Sequence, residues 1–156
     1  MDRLEKYLEM ARTMGLKVHE EKMSCHDGLL IGKDIILRED IPTSAKKTDV
    51  LVEEIAHSEL TVGNILDQTD PNNRRQERKA RLRAAEMQVP LQGIVDAFRA
   101  HCRSTYETAE FLNVSEDTLR EALELYRQVY GAAASVDGCI VRFEPRLSVY
   151  EVIMIA

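Results

Sequence analysis

The stretch from residue 45 to residue 63 constrains the fold more than any other part of the chain. Its spacing predicts a helix, and with successive residues 100° apart the apolar side chains cover more than half of its circumference. These apolar side chains are Leu51, Val52, Ile55, Ala56, Leu60 and Val62. Because so wide an apolar arc has to be buried, the rest of the chain must build a core around this helix.

Helical and strand patterns alternate on either side of it. Amphipathic spacing predicts further helices over residues 2–14, 73–88, 91–101, 105–112 and 116–129. Short apolar runs predict strands over residues 16–19, 29–31, 35–38, 139–143 and 148–155. Thr43 or Ser44 is expected to cap the central helix, a hairpin turn is expected at residues 32–34, and a loop at 67–73. This order predicts an α+β fold with a small N-terminal antiparallel sheet and a C-terminal β-hairpin.

Length and composition indicate one domain over residues 1–156, since no linker interrupts the pattern. The net charge of -6 counts against non-specific binding to nucleic acid or to an anionic membrane. Cys25, Cys102 and Cys139 have no CxxC spacing and are expected to be free thiols in a reducing compartment. Neither a signal peptide nor a membrane span is evident, so a cytoplasmic location is expected.

The polar arc of the central helix holds Glu53, Glu54 and His57 on one narrow strip. Glu53 and His57 are four residues apart and therefore neighbours on the helix surface. No Lys or Arg occurs between Lys47 and Arg74, although six acidic residues do. Partly buried carboxylates of this kind need a partner, which is either a distant Arg or a metal cation.

Two interpretations of this strip stay open at this point. In one, the acidic residues form a solvated face that pairs with the basic stretch from Arg74 to Arg83. In the other, the strip is a functional site completed from the next helix, where Glu77 shares a face with the small residues Ala80 and Ala84. Small residues allow another helix to approach closely, so Glu77 would point at whatever packs there.

Residues 53–57, Glu-Glu-Ile-Ala-His, resemble the H-E-x-x-H pattern of zincins, with Glu53 in place of the first His. Residues 77–90 are similar to the E-x-x-A-N-x-F-A-A-x-L-L-M-P helix of the ImmA/IrrE-type metallo-endopeptidases. The two motifs follow in order with the right internal spacing. The chain resembles a phage-borne branch of that family, in which Glu-Glu-x-x-His replaces His-Glu-x-x-His. This resemblance implies a zincin-like helical domain.

The resemblance also implies roles for single residues. Glu53, His57 and Glu77 would be the metal ligands, and Glu54 would be the catalytic base that takes a proton from a metal-bound water. Zn²⁺ is the divalent metal that the resemblance favours. Because Glu53 makes the donor set richer in carboxylate, Mn²⁺ and Fe²⁺ are alternatives. Arg81 stands where the family has Asn, and it could neutralise Glu53 or Glu77 in a metal-free relative.

Family members cleave helix-turn-helix repressors of phages and mobile elements, so the resemblance implies a metallo-endopeptidase with such a repressor as its protein substrate. The alternative is a catalytically inactive relative that binds and regulates the repressor. An exposed strand edge in the hairpin at residues 29–38, which carries Ile35-Ile36-Leu37, is expected to bind the substrate as an added strand.

Three other patterns carry less information. Residues 106–123 have the apolar spacing of a helix-turn-helix, but Glu116 and Asp117 begin its second helix where a DNA reader would have basic or amide residues. We interpret this pair as structural packing. The adjacent pairs Cys25-His26 and His101-Cys102 lack a second pair at zinc spacing and are interpreted as structural.

Overall fold

The computed structural model describes residues 2–60 and 71–153, with the backbone alone for residues 71–73. Its helices are α1 (Arg3–Thr13), α2 (Ser44–Leu60), α3 (Pro71–Gln88), α4 (Leu91–Arg99), α5 (Thr105–Leu112) and α6 (Glu116–Tyr130). Its strands are β1 (Lys17–Glu21), β2 (Gly28–Ile31), β3 (Asp34–Arg38), β4 (Ala133–Val136), β5 (Cys139–Arg142) and β6 (Ser148–Glu151). The predicted α+β class is confirmed.

Some predicted boundaries fall outside these ranges. The expected end of α2 at residues 61–63, the expected loop residues 67–70 and the last strand residues 154 and 155 lie outside the described residues. Residues 71–73, which were expected to belong to the loop, form the start of α3 instead. Pro71 is at the first position of that helix, where a missing N–H costs nothing.

The chain divides into two compact units, residues 1–84 and residues 85–156. The expectation of a single domain over residues 1–156 stays a prediction. In neither described part is there a helix long and apolar enough to cross a membrane.

The first unit contains a three-stranded sheet in the order β1-β3-β2. β2 and β3 form the expected antiparallel hairpin, but β1 pairs with β3 in parallel, so the sheet is mixed rather than wholly antiparallel. Ile35 and Leu37 of β3 are fully buried, which suits the central position, whereas β1 is mostly exposed along its length. β1 and β2 are therefore the strands at the edges.

α2 packs against α1, β2 and β3 within the same unit. Thr43 is the residue that caps it, because its hydroxyl accepts a hydrogen bond from the Lys46 amide at 3.1 Å. Arg3 of α1 forms an ion pair with Asp49 at 2.7 Å, which links the two helices. The apolar arc of α2 is buried as its spacing predicted, with Leu51, Val52 and Ile55 at its centre.

The second unit combines α4, α5 and α6 with an antiparallel sheet in the order β4-β5-β6. The C-terminal hairpin expected from the sequence is thus part of a three-stranded sheet. β4 was missed because Ala-Ala-Ser-Val has no strong strand pattern. Asp137 and Gly138 form the two-residue turn between β4 and β5, and both have positive φ, as a type I′ hairpin requires.

Tyr126 lies at the centre of this second unit. Its side chain is fully buried, and its hydroxyl donates a hydrogen bond to the Val89 carbonyl oxygen at 2.8 Å. Its ring packs against Phe143, with ring centroids 5.9 Å apart. A buried phenol needs such a partner. The hydrogen bond holds Val89, the residue that directly follows α3, against α6.

Candidate active site and metal centre

The polar strip of α2 is largely enclosed by protein. His57 is 4% exposed and Glu54 is 9% exposed, while Glu53, the residue between Glu54 and the buried Val52, is exposed. The apolar side chains cover more than half of the helix, so burying them also buries the neighbouring polar residues Glu54 and His57. An imidazole and a carboxylate are therefore held inside the first unit, where unpaired polar groups are costly.

β2 begins directly against this strip. A Cβ atom built at Gly28 would lie 2.6 Å from Val50 Cγ1 and 3.2 Å from Glu54 Oε1, so any larger residue would force β2 or α2 to shift. The backbone of β2, an edge strand, thus passes close to the Glu54 side chain. Gly28 was not among the site residues predicted from the sequence, although glycine in a strand often marks a close approach by another group.

α3 brings Glu77 to His57. The distance from His57 Nε2 to Glu77 Oε2 is 3.2 Å, and the two side chains are 6% and 22% exposed. Ala80 and Ala84, which share the face of Glu77, are buried, in keeping with the close packing expected there. The two motifs that were separate in sequence therefore meet in space.

Basic residues of α3 also reach this region. Arg81 Nε lies 3.6 Å from Glu77 Oε1, and Arg83 Nε donates to Glu59 Oε2 at 2.8 Å. The contact between Arg83 and Glu59 is one of the ion pairs expected if the acidic residues of α2 pair with the basic stretch of α3. Arg81 is the cation that was expected to neutralise Glu53 or Glu77, and its charge acts on both carboxylates.

The cluster shifts the pKa values of all four candidate residues. Burial raises the pKa of Glu54 to about 7, and the negative charges of Glu53 and Glu77 add to the rise. Burial of its carboxylate also raises the pKa of Glu53, although the residue as a whole remains exposed. The hydrogen bond from His57 lowers the pKa of Glu77. Burial alone would lower the pKa of His57, but the hydrogen bond to Glu77 and the nearby carboxylates outweigh it and raise it.

The predicted ligands are brought together in part. His57 and Glu77 are in contact and Glu54 is buried beside them, whereas Glu53 interacts with them through its charge. Across residues 2–60 and 71–153 there is no group of three or more His, Cys, Asp or Glu side chains already arranged to hold a metal ion. In the arrangement described, Glu77 binds His57 and Arg81 instead. The assignment of Glu53, His57 and Glu77 as ligands stays a prediction.

The donor chemistry nevertheless fits a divalent cation. One imidazole and three carboxylates act on one another through their charges here, and Arg81 forms an ion pair with one of the carboxylates. Burial first and neighbouring carboxylates second raise the pKa values of Glu53 and Glu54, so their charged forms are costly here and a nearby divalent cation would stabilise them. Nitrogen and carboxylate oxygen are donors that Zn²⁺ accepts, and carboxylates also suit harder metals such as Mn²⁺.

A buried helix with Glu-Glu-x-x-His that meets a glutamate from the next helix defines a metallopeptidase-type protein. Residues 11–124 match the family model described as the IrrE N-terminal-like domain, Peptidase_M78. The chain belongs to this family, as its resemblance to the ImmA/IrrE-type proteins implied. Membership supports a metallopeptidase-type function, a divalent metal and a protein substrate. No curated protein matches the sequence.

The remaining candidates from the sequence are the helix pair α5 and α6 and the cysteines. The pair α5 and α6 forms as the helix-turn-helix spacing predicted, and Asn113 between them adopts the left-handed conformation. All three cysteines are free, with Cys25 exposed, Cys102 half-buried and Cys139 buried. The expected free thiols are confirmed.

Proposed function

We propose that this protein is a metal-dependent endopeptidase that cleaves a helix-turn-helix repressor of a phage or mobile element. The observation that carries the proposal is the 3.2 Å contact between His57 Nε2 and Glu77 Oε2, which joins the two family motifs. Glu53, His57 and Glu77 would hold the metal, with Zn²⁺ favoured and Mn²⁺ or Fe²⁺ as alternatives. The phage-borne branch with Glu-Glu-x-x-His accounts for a carboxylate at position 53.

When bound, the metal would polarise the scissile carbonyl and lower the pKa of a bound water. The chain's own catalytic group would be Glu54. A pKa of about 7 in the metal-free protein suits a group that accepts a proton and returns it near neutral pH. Burial of Glu54 also keeps bulk water away from the group that handles the proton.

The strand that receives the substrate must differ from the one expected. β3, which carries Ile35-Ile36-Leu37, has partners on both sides and offers no edge. β2 has a partner on one side within the described sheet, and it begins at Gly28 against Glu54. An extended peptide added to β2 would gain main-chain hydrogen bonds and bring a peptide bond to Glu54.

One observation favours the second candidate function, a catalytically inactive protein that binds the repressor without cutting it. Arg81 Nε lies 3.6 Å from Glu77 Oε1 and competes with a metal for that carboxylate. If this ion pair replaces the metal, the fold would still present the β2 edge to a protein partner.

Metal analysis of protein purified without chelator separates the two functions. The endopeptidase is expected to hold about one equivalent of metal, which Glu77→Ala removes. Glu59→Ala is the matched control, because Glu59 pairs with Arg83 between the same two helices but has no proposed ligand role. Metal-free parent protein with intact repressor binding would favour the inactive relative.

Cleavage is tested with the repressor encoded beside the gene, followed by mass spectrometry. Glu54→Gln is expected to keep metal and repressor binding but to lose cleavage, because a carboxamide accepts no proton at neutral pH. The expected loss is on the order of a hundredfold or more. Equal cleavage by Glu54→Gln and the parent would remove Glu54 from the mechanism.

A further inference from the structure

The outer side of α3 concentrates positive charge in a chain whose net charge is -6. Five basic side chains there are exposed, and together they are called the basic face: Arg74, Arg75, Arg78, Lys79 and Arg81. Arg75, Arg78 and Lys79 form no ion pair with any residue that the structure describes. Glu59 forms an ion pair with Arg83, but no acidic residue that the structure describes pairs with these three.

The spacing of these side chains makes them repel one another. Arg75 has Arg78 three residues ahead and Lys79 four residues ahead, so the three are neighbours on the helix surface. Like charges at these spacings destabilise a helix. A ligand of opposite charge that binds all three would relieve the repulsion, which makes the basic face a surface suited to an anionic partner.

The basic face adjoins the candidate active site along the same helix. Arg78 follows Glu77 directly, and Arg81, one turn further on, contacts the Glu77 carboxylate at 3.6 Å. One helical turn is about 5.4 Å long. A peptide that runs past His57 and Glu77 therefore comes within about one turn of the basic face.

We propose that the basic face is an exosite, a binding surface beside the active site, for an acidic segment of the protein substrate. The proposal rests on the proposed function and names a feature of its substrate. Residues 74–81 extend over roughly 10 Å of helix at 1.5 Å per residue. An extended peptide crosses that length in about three or four residues. The substrate is therefore expected to carry about three acidic residues close together and close to the scissile bond.

An acidic peptide fits this surface better than nucleic acid does. The basic face is short, and Glu59 of α2 pairs with Arg83 just beyond it, so a long phosphate backbone would meet a carboxylate at its end. The whole chain is acidic, which opposes the approach of a polyanion. The family also supports a protein substrate.

Peptide binding tests the exosite separately from catalysis. The full-length chain carrying Glu54→Gln is titrated into two fluorescein-labelled octapeptides, one with four glutamates and one with glutamines in their place. Fluorescence anisotropy gives each Kd at about 50 mM and about 500 mM salt. The glutamate peptide is expected to bind more tightly, and high salt is expected to remove most of the difference.

Two triple variants, each of which removes three positive charges, show where on the protein the peptide binds. Arg75→Gln/Arg78→Gln/Lys79→Gln removes three charges from the basic face. Lys17→Gln/Lys22→Gln/Lys33→Gln removes three exposed charges elsewhere and is the control. The first is expected to weaken glutamate-peptide binding about tenfold, and the second to leave it nearly unchanged. Circular dichroism checks that both variants fold.

Each outcome has a distinct meaning. Equal Kd values for the two peptides, or equal losses in the two triple variants, would overturn the exosite. Tighter binding of a labelled DNA duplex, with the same dependence on the basic face, would overturn it in favour of nucleic acid. In the cleavage assay, with Glu54 restored, the basic-face variant is expected to raise KM about tenfold without changing kcat.

The same two assays separate this proposal from the proposed function. Selective peptide binding without cleavage by the parent would keep the basic face as an acidic-segment binding surface and reject the endopeptidase. Cleavage with a KM that is the same in the parent and the basic-face variant would keep the endopeptidase and reject the exosite.

Discussion

At the scale of single residues, the Glu77 carboxylate of the candidate site has two protein partners, His57 and Arg81. Glu77 is held by His57 on one oxygen and approached by Arg81 on the other. Any metal bound here has to displace Arg81 from Glu77 or share the carboxylate with it. If Glu77 is a metal ligand as proposed, the residue at position 81 sets how readily its carboxylate is available.

Arg81→Asn is expected to tighten metal binding several-fold, because removing the cation leaves Glu77 with a stronger attraction to a metal. Competition with a chromogenic chelator measures the metal Kd. Arg83→Asn is the control, since it removes a neighbouring charge that pairs with Glu59 instead. Weaker metal binding by Arg81→Asn would mean that Arg81 supports the site rather than competing for it.

At the scale of elements, β2 approaches α2 so closely at Gly28 that a Cβ atom there would overlap Val50. Gly28→Ala is expected to destabilise the protein by about 1–3 kcal/mol, because the new methyl group overlaps Val50 Cγ1 and forces the strand or the helix to move. It is also expected to lower peptidase activity through displacement of Glu54. Urea denaturation and the cleavage assay measure the two effects.

A double-mutant cycle tests the cause. Val50→Ala removes the overlapping atom, so Gly28→Ala/Val50→Ala is expected to cost less than the sum of the two single changes. Simple additivity would show that the Cβ at position 28 is accommodated in another way.

The β4–β5 turn is attached to α4 in the second unit by polar contacts. Asp137 accepts hydrogen bonds from Arg99 Nη1 at 2.6 Å and from Gln92 Nε2 at 3.0 Å. The hydrogen bond from Arg99 lowers the pKa of Asp137. A carboxylate with a lowered pKa adds stability above its unfolded pKa and loses it as the pH falls through the folded value.

Asp137→Asn is therefore expected to lower the melting temperature slightly at neutral pH and to match the parent in acid. Asn suits this position because it tolerates the positive φ of the turn, so the change removes charge and leaves the backbone conformation in place. Thermal melts of freshly purified protein from about pH 7 down to about pH 2 measure the difference. A constant difference across that range would show that charge is not the cause.

Much of the element pattern follows from sequence, and the failures have physical reasons. The strip of Glu53, Glu54 and His57 on α2 could be predicted because an i, i+4 pattern fixes which residues share a helix face. The parallel pairing of β1 could not, since a short and mostly exposed strand carries little information about its partner. The close approach at Gly28 could not be predicted either, because it depends on atoms of α2 that are distant from Gly28 in the sequence.

At the scale of the whole molecule, a bound metal is expected to stabilise the native state. It would relieve repulsion among the carboxylates and bind only when α2 and α3 are folded. Metal at about a hundred times its Kd would add about 2.7 kcal/mol to the free energy of unfolding of the unit that binds it. Melting with Zn²⁺, with Mn²⁺ and with chelator measures this effect.

Hydrogen exchange locates the stabilisation. Added metal is expected to slow exchange in α2 and α3 and to leave β4–β6 unchanged, and His57→Ala is expected to abolish the response. A melting temperature that is the same with Zn²⁺, Mn²⁺ and chelator would contradict the metal site.

The chain has no tryptophan and five tyrosines, so its optical signals come from tyrosine. Tyr7 is buried in the first unit and Tyr126 in the second, and burial raises the pKa of both phenols. In an alkaline titration the two buried phenols should absorb as phenolate only once their surroundings open. With Tyr7→Phe and Tyr126→Phe as references, each unit thus contains its own spectroscopic reporter of unfolding.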